Sequence, residues 1–383
     1  MRLAVYSDYS YRRDGETLWA ELSVVVFLAG LSAHLGSVTL VGRLEPRRGR
    51  WAYRVPPGVD FSPLPHYPSL ARPGAVAVAL VDSLRRFWRV LDRADAVWLL
   101  GPHPFALLFA LLARVRGRRV ALGVRQDFPA YVANRHPGRR GLRAAAQLLE
   151  ALWRLLGRAC PVIVVGPDLA RRYRRSRELL AISISVVSER RLADAAALAE
   201  RDYSGEELRV LSVGRLEAEK NPLLLADVLS RLDGRRWRLL VCGEGPLEED
   251  LRARLEELDM EGSADLLGYV PLDEGLLELY RSSHLLLHCS WTEGVPQVLL
   301  EAFAARLPVV ATAVGGVAEA AEGAALLVPA GDAASAALAL KRLAADADLR
   351  ARLTEAGAER ARRHSLEAET RRVARFLAGR NGG

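Results

Sequence analysis

The sequence predicts an α/β protein built from two Rossmann-like, doubly wound units, each a parallel sheet covered by helices. Short apolar runs alternate with helical patterns along the chain, which is typical of parallel sheets buried on both faces. This pattern restarts after a polar, alanine-rich stretch at residues 188–207. The length of 383 residues is about twice that of a typical domain. Together these observations favour two domains of the same class.

Apolar runs of strand length define the elements of the first half. The predicted strands cover residues 3–6, 37–41, 96–100, 119–124 and 161–165. A helix is predicted at residues 21–34. Residues 47–73 are rich in proline and aromatic side chains, so an irregular excursion or an edge hairpin is predicted there.

The second half repeats the alternation. Its predicted strands cover residues 208–213, 238–242, 264–267, 285–288, 309–311 and 325–328, and its first helices cover residues 223–232 and 247–258. The predicted organisation is therefore a first unit at 1–187, a linker at 188–207 and a second unit at 208–365. A terminal segment at 366–383 is predicted to form a helix that crosses back to the first unit. Two such units would face a central cleft at the carboxyl ends of their strands.

Charge is distributed unevenly along the chain. Residues 1–190 hold 30 Lys and Arg against 14 Asp and Glu, a net charge of +16, whereas the remainder carries −8. The first half therefore attracts anions. A solvated basic face, an anionic membrane surface and an acidic acceptor all fit this charge. Nucleic acid is not predicted as a partner, because no nucleic-acid-binding motif accompanies the charge.

Cysteine usage and hydropathy point to the cytoplasm. Cys160, Cys242 and Cys289 are too few and too scattered for a disulfide framework or a zinc site, so reduced core thiols are predicted. The opening residues lack the pattern of a signal peptide. The longest apolar run, residues 96–113, is interrupted at 101–104 by glycine and proline, which favours a strand, a turn and a helix over a membrane span.

A glycine, an arginine and a lysine follow the first strand of the second half. Gly214 and Arg215 lie where that strand ends, and Lys220 stands five residues later, near a helix start. Two cations beside a helix N-terminus suit a diphosphate, because the helix dipole adds to their charge. Lys220 is one of two lysines in a chain that otherwise uses arginine, which indicates a need for the smaller ammonium. A solvated loop lysine is the alternative.

Residues 291–301 carry two carboxylates around a predicted phosphate cradle. Glu293 falls in a loop and Glu301 about two helical turns later. Gly294 permits close backbone approach, and Pro296 favours a helix start. The amides predicted to be available to a phosphate are those of Gln297, Val298 and Leu299. Helix capping by Glu293, and a structural position for Glu301 on a mostly apolar helix, are the alternatives.

Two glycine-rich turns complete the pattern, at residues 242–246 and 312–316. Taken together, residues from about 208 to 365 resemble the donor domain of the retaining GT-B glycosyltransferases of family 4. The family's motifs occur in order as Gly214-Arg215 with Lys220, the turn from Gly243 to Pro246, Glu293 with Glu301, and Gly315-Gly316. Each motif is weak alone, and the four at compatible spacing are specific for the superfamily.

The resemblance implies roles for these residues. Arg215 and Lys220 would hold the diphosphate and stabilise the departing nucleotide, and Glu293 would contact the donor sugar and Glu301 the ribose. Further donor-binding residues would be Gly214, Gly243, Gly294, Tyr269 and Val270 (against the base), and the amides of Gln297, Val298 and Leu299. No metal or other cofactor is implied, because Arg215 and Lys220 would neutralise the diphosphate in place of a metal ion. The family retains anomeric configuration by front-side attack, with leaving-group stabilisation as the main catalytic effect.

The first half resembles the family less closely. In the predicted loop at residues 12–16, Gly15 stands where the family places a glycine pair. Arg125 stands where many members carry a histidine that touches the donor sugar. Arg125 would bind an anionic donor or acceptor group, or pair with Asp127, and both interpretations stay open. His103, at another strand end, is a candidate cleft residue or a structural turn histidine.

The function implied is transfer of a hexose from a nucleotide sugar to a glycan, a lipid-linked acceptor or a small molecule. The protein would work in the cytoplasm, with the inner face of the membrane as a candidate partner surface. Two alternatives remain. One is a GT-B sugar-nucleotide epimerase or hydrolase, which needs a further acid or base in the cleft. The other is a partner subunit that binds nucleotide sugar without catalysis, suggested by the altered first-half motifs.

Overall fold

A computed structural model of the chain describes residues 1–49, 51, 53–70, 72–136, 138–196, 201–233, 236–271, 275–294 and 296–379. The chain divides into two units, Met1–Ile184 with Leu366–Gly383 and Ser185–Ser365. Each unit has its own apolar core, so each is described by itself.

The first unit is built on a mostly parallel sheet. Its strands among the described residues are β1 (Arg2–Asp14), β2 (Thr17–Ala20), β3 (Ser37–Leu44), β4 (Tyr53–Arg54), β5 (Val59–Leu64), β6 (Ala96–Gly101), β7 (Arg119–Val124), β8 (Pro161–Val165) and β9 (Glu178–Ile182). The parallel part has the order β5-β3-β1-β6-β7-β8-β9. The central strands are continuous apolar runs, because helices cover both faces.

Six helices follow or connect these strands in the described part of the unit before residue 184. They are α1 (Val24–Ser32), α2 (Pro73–Leu91), α3 (Pro104–Val115), α4 (Phe128–Arg135), α5 (Arg140–Gly157) and α6 (Pro167–Arg172). Capping side chains and prolines determine where several of these helices begin. His103 caps α3 and Asp127 caps α4 through side-chain acceptors, and each of these helices has a proline in its first turn, where no amide partner is lost.

Two predictions for the first unit are wrong in detail. The predicted loop at residues 12–16 is the end of β1 and a tight hairpin turn at Gly15 and Glu16 that leads into β2. Tyr11 explains the longer strand, because its fully buried ring packs 5.3 Å from that of Phe61. Within the described part of residues 47–72, the predicted irregular excursion is interrupted by two strands, because β4 pairs with β2 and β5 pairs in parallel with β3.

The second unit has a fully parallel sheet. Its strands are β10 (Glu207–Val213), β11 (Arg236–Cys242), β12 (Ala264–Gly268), β13 (Leu285–His288), β14 (Val309–Thr312) and β15 (Leu326–Val328), in the order β12-β11-β10-β13-β14-β15. Its helices are α7 (Glu189–Ala196), α8 (Leu223–Leu229), α9 (Glu248–Glu257), α10 (Leu277–Ser282), α11 (Gln297–Ala304), α12 (Gly316–Ala321), α13 (Ala333–Ala345) and α14 (Ala347–Arg363). Short 3-10 helices lie at Ala218–Lys220 and Glu261–Ser263.

The predicted linker at residues 188–207 is structured where it is described. Helix α7 occupies its first part, and residues 197–200 lie outside the described residues. Arg201 then donates to the carbonyls of Ser283 and Arg306, each at 2.7 Å. These bonds explain why the segment belongs to the second unit.

The last helix, α15 (Leu366–Leu377), completes the first unit. Val373, Phe376 and Leu377 pack into the same core as the apolar face of α1. The buried carboxylate of Glu369 accepts from the amide of Ser183 at 3.3 Å and pairs with Arg372 at 2.8 Å. The helix is therefore attached by both apolar and polar contacts.

Two further predictions concern the core and the membrane. Cys160, Cys242 and Cys289 are buried free thiols, as expected. Among the described residues, no helix has the length and apolar composition needed to cross a bilayer.

We expect Phe376→Ala to lower the free energy of unfolding of the first unit by about 3 kcal/mol, the usual cost of removing a buried aromatic ring. Chemical denaturation followed by circular dichroism would measure the change. Arg371→Ala, at an exposed position of the same helix, serves as the control. Equal, small effects of both substitutions would show that α15 does not stabilise the unit.

Candidate functional site

Three loops at the carboxyl edge of the second sheet are joined by backbone hydrogen bonds. Gly214 donates to the carbonyl of Cys242 and Leu216 to that of Glu244, both at 2.9 Å. At Gly243, a Cβ would lie 1.8 Å from the carbonyl oxygen of Gly214, so only glycine allows this approach. The loops after β10 and β11 therefore form one surface.

The loop after β13 is attached to its neighbours on both sides. Trp291 donates its amide to the carbonyl of Glu219 at 2.8 Å. Ser290 and Thr312 exchange two hydrogen bonds of 3.0 Å, since the hydroxyl of Thr312 accepts from the amide and donates to the carbonyl of Ser290. These bonds hold the Glu293 loop close to the 3-10 helix that ends at Lys220.

Glu293 is the centre of a polar cluster. Its Oε1 forms an ion pair with Nζ of Lys220, accepts from Oγ of Ser290 at 3.2 Å and lies 3.3 Å from Nε2 of His288. Within the described part of the chain, its other oxygen, Oε2, has no hydrogen-bond partner. Lys220 and Glu293 were both predicted as site residues, but His288 and Ser290 were not. A histidine and a serine at the end of an apolar strand are the signal that could have identified them.

The charge of Glu293 is stabilised by this cluster. Burial alone would raise the pKa of the carboxyl, but the hydrogen bond from His288 and the charge of Lys220 outweigh it and lower the pKa from 4.5 to about 2. Glu293 is therefore a carboxylate at neutral pH and a hydrogen-bond acceptor.

Arg215 lies beside this cluster and is more exposed than Lys220. Its side chain is 60% exposed and pairs with Glu217 at 2.6 Å and Glu219 at 2.7 Å. A small pocket is nevertheless lined by Gly214, Arg215, Lys220 and His288 among others. In place of the predicted pair of fixed cations, the structure has a partly buried lysine that pairs with Glu293 and an exposed arginine that pairs with carboxylates of its own loop.

The predicted phosphate cradle forms in part. Pro296 is the N-cap of α11 instead of its first residue, and the amide of Leu299 donates back to the carbonyl of Pro296 at 3.2 Å. Leu299 is therefore not a free donor. Gln297 and Val298 occupy the first turn of α11, and a Cβ on Gly294 would meet no atom within 4 Å. Val295 lies outside the described residues.

Glu301 lies in a different pocket from Lys220. It accepts from the hydroxyl of Tyr280 at 2.8 Å. Its pocket is also lined by Val187, Arg191, Leu277, Arg281, Ala304 and Ala305. Burial raises the pKa of Glu301, and the bond from Tyr280 and the charge of Arg191 oppose this only in part. The two carboxylates of the motif thus have opposite electrostatic environments.

Tyr269 and Val270 follow β12. The ring of Tyr269 is 48% exposed, and its amide donates to the carboxylate of Glu244 at 3.3 Å. Val270 is half-buried against the second unit's core. Both lie at the carboxyl edge of the sheet, which is compatible with the position predicted for them.

In the first unit, Arg125 and Asp127 do not pair with each other. Asp127 caps α4 and pairs with Arg172 at 2.6 Å, whereas the Arg125 guanidinium lies over the ring of Tyr9 at 4.3 Å. Among the described residues, Arg125 has no carboxylate partner. The interpretation as a structural pair is therefore wrong, and Arg125 is a cation available at the end of β7.

His103 is buried and belongs to a polar cluster that includes the partly exposed Asp8, which was not predicted. Its Nδ1 accepts from the amide of Phe105 at 3.2 Å, and its Nε2 lies 3.0 Å from the carboxylate of Asp8. The hydroxyl of Tyr67 donates to the same carboxylate at 3.1 Å. Burial opposes ionisation of Asp8, but His103 and Arg43 outweigh it and lower the pKa. His103 is thus a helix cap and a partner of Asp8.

Comparison with known proteins gives a family match within the second unit. Residues 198–360 match the family model described as Glycosyl transferases group 1. This match lies within the second unit and covers less than half of the chain. The chain is also 34% identical over 109 residues to the amylovoran biosynthesis glycosyltransferase AmsD of Erwinia amylovora, an alignment that covers 28% of this chain and 30% of that protein. The chain therefore spans about a third of the length of this relative.

Solved structures show the same fold over the whole chain. Sucrose-phosphate synthase from Thermosynechococcus elongatus has a TM-score of 0.72 at 20% identity, covering 99% of this chain and 98% of that one. HepE of Anabaena, solved with UDP-glucose, has a TM-score of 0.69 at 13% identity, covering 99% and 100%. At these identities the likeness establishes the fold, and the predicted GT-B fold class is confirmed.

We expect Glu293 to contribute to stability above its ordinary pKa of 4.5 and to lose that contribution as the pH falls toward about 2. Denaturant unfolding across this range should therefore show a smaller loss of the free energy of unfolding for Glu293→Gln than for the unchanged chain.

In Lys220→Met, the carboxyl of Glu293 should titrate at a higher pH, as measured by NMR of the Glu293 side chain. An unchanged titration would contradict the ion pair.

We expect Gly315→Ala to destabilise the second unit more than Gly323→Ala. Both glycines have a positive φ, of +48° and +72°, which an L side chain rarely adopts, so an alanine is strained at either position. At Gly315 the new Cβ would also lie 2.1 Å from the carbonyl oxygen of Glu293, whereas at Gly323 it meets no atom within 4 Å. Equal losses of the free energy of unfolding in the two variants would show that the Glu293 loop moves away from the new Cβ at no cost in stability.

Proposed function

We propose that this protein transfers a hexose from a nucleotide-sugar donor, with retention of configuration and without a metal ion, as a family 4 glycosyltransferase. The observation that carries the proposal is the cluster around Glu293, within the segment that matches the group 1 family model. Its Oε1 is held by Lys220, Ser290 and His288, and Oε2 has no partner among the described residues. An ionised carboxylate with one available oxygen suits the hydroxyl groups of a sugar.

Binding of the donor diphosphate falls to Lys220 and Arg215, which line one pocket. A diphosphate brings negative charge to a place where carboxylates now hold both cations, so we propose that it replaces Glu217 and Glu219 as the partner of Arg215. The first-turn amides of Gln297 and Val298 would add donors. Support for a nucleotide sugar comes from HepE, which was solved with UDP-glucose.

Metal independence is proposed on electrostatic grounds, and retention is proposed on the resemblance to family 4. Charge that develops on the departing diphosphate can be stabilised by Lys220 and Arg215, which makes leaving-group stabilisation the main effect. Glu293 is a poor general acid, because its pKa is about 2. Glu301 lies in a separate pocket, where it would hold the ribose.

For the acceptor, we propose an anionic or lipid-linked molecule used at the cytoplasmic face of a membrane. Arg125 supports an anionic group, since it has no carboxylate partner within the described residues and stands where a histidine is common in the family. Asp8, held as a carboxylate by His103, is a second group that could bind an acceptor hydroxyl. The charge of +16 on residues 1–190 favours an anionic surface.

We expect Lys220→Ala and Glu293→Ala to lower transfer by about 100-fold or more, because each removes a preorganised charge from the transition state. Lys341→Ala is the matched control, since Lys341 is the chain's other lysine and pairs with Asp233. Released nucleotide would be measured with a panel of nucleotide sugars and acceptors, and NMR would give the anomeric configuration of the product.

Other outcomes would identify the alternatives. Normal turnover in Lys220→Ala and Glu293→Ala would exclude this site as the catalytic one. Conversion of the donor without any acceptor would indicate an epimerase or a hydrolase. Calorimetric binding of a nucleotide sugar without turnover across the panel would indicate a partner subunit that only binds.

A further inference from the structure

Four arginines line a groove on the first unit, between α5 and α6. The groove has a volume of about 320 Å³ and is lined by Ala151, Arg154, Leu155, Arg158, Arg172, Tyr173, Arg175 and Ser176. Its lining includes no carboxylate among the described residues. We call this the four-arginine groove.

Three of the four cations have no direct partner among the described residues. Within the described part of the chain, Arg154, Arg158 and Arg175 have no hydrogen-bond or ion-pair partner, whereas Arg172 pairs with Asp127 at 2.6 Å. Like charges that converge without partners repel one another, and an anion in the groove would relieve that repulsion. Guanidinium groups match the oxygens of a phosphate in geometry and charge.

The floor of the groove is rigid. Tyr173 is buried and donates its hydroxyl to Glu150 at 2.9 Å. Burial raises the pKa of Glu150, opposed by the bond from Tyr173 and the charges of Arg172 and Arg154. The carboxyl beneath the groove is thus held in place by a hydrogen bond while the arginines face outward.

Helix α5 presents leucines to solvent beside the groove. Its buried stripe is Ala146, Glu150, Trp153 and Gly157. At about 100° per residue, Leu148, Leu152 and Leu155 project from the opposite side. Their exposed fractions are 63%, 43% and 58%. Such a row of leucines is costly in water and favourable in the interfacial layer of a bilayer.

Arginines run along one side of this leucine row. Arg140, Arg143, Arg154 and Arg158 recur at helical spacing on the same flank of α5. A helix with leucines on its outward side and arginines along one flank is typical of segments that lie in the headgroup region of an anionic leaflet.

We propose that the four-arginine groove binds the phosphate headgroup of an anionic phospholipid, with α5 lying in the leaflet surface through Leu148, Leu152 and Leu155. The leucine row favours a lipid over a free phosphate as the ligand, because a soluble anion would make no apolar contact with these leucines. This inference gives a location to the membrane contact in the proposed function, but it does not depend on sugar transfer.

The test is sedimentation of the full chain with vesicles of phosphatidylcholine alone or with about 30% phosphatidylglycerol, at about 0.15 M salt. We expect binding to the anionic vesicles only. The double variants Arg154→Gln/Arg158→Gln and Leu148→Gln/Leu152→Gln should each weaken it by about 10-fold. The matched control Arg352→Gln/Arg371→Gln removes two exposed arginines on α14 and α15 that have no partner within the described chain, and it should bind normally.

Several results would overturn the proposal. Equal weakening by the control pair would indicate net charge alone, and equal binding to neutral vesicles would exclude phosphate recognition. Competition by inorganic phosphate without any effect of the leucine variant would indicate a site for a free anion. Because all these positions are exposed, the variants should keep the wild-type melting curve. Loss of transfer activity in Lys220→Ala would leave vesicle binding unchanged, so the two proposals can fail separately.

Discussion

The ion pair between Lys220 and Glu293 requires two loops from adjacent parallel strands to meet at one point. Lys220 ends a short 3-10 helix after β10, and Glu293 lies in the loop after β13. A partly buried pair of this kind costs desolvation and is tolerated only where further hydrogen bonds hold it. Ser290 and His288 provide them, and the bond from Trp291 to Glu219 sets the loop separation. The arrangement fixes the charge of Glu293 while leaving one oxygen available.

The two units handle charge differently. In the second, the cations of the site are matched by carboxylates of the same loops, as with Arg215 and Glu217. In the first, Arg125, Arg154 and Arg158 have no such match among the described residues. A ligand for the second unit must therefore compete with internal partners, whereas an anion reaching the first unit meets cations that are already exposed. Competition with internal partners, as in the second unit, favours selectivity for the ligand. Exposed cations, as in the first unit, favour rapid binding of anions.

Much of the fold could be predicted, because buried parallel strands are continuous apolar runs that sequence displays directly. The strands at 119–124 and 161–165 coincide with β7 and β8 for this reason. Edge strands such as β4 and β5 depend on partners elsewhere in the chain, and their residues carry no comparable signal. The helix α7 is mostly polar, so its composition alone indicates a linker, although Leu192 packs against the core of the second unit.

The site was predictable to the level of residues but not of contacts. Motif spacing identified Lys220 and Glu293, yet their direct pairing depends on strand order. A pair between Asp127 and Arg125, two positions away, was one of two open interpretations, and the observed partner is Arg172 on another helix. Glu301 was expected at one end of a shared cradle, but the face that α11 turns toward Tyr280 follows from packing. Short-range sequence patterns specify neither the partner of Asp127 nor the direction in which Glu301 points.

The placement of α15 has a consequence for how the protein is made. The first unit consists of Met1–Ile184 together with Leu366–Gly383, so all of Ser185–Ser365 is synthesised before its core can close. Until then, the apolar surface of α1 and β9 that α15 covers is open to solvent. The second unit, being continuous in sequence, can fold as it emerges. Order of synthesis and order of folding are thus inverted, and the part made first is the part finished last.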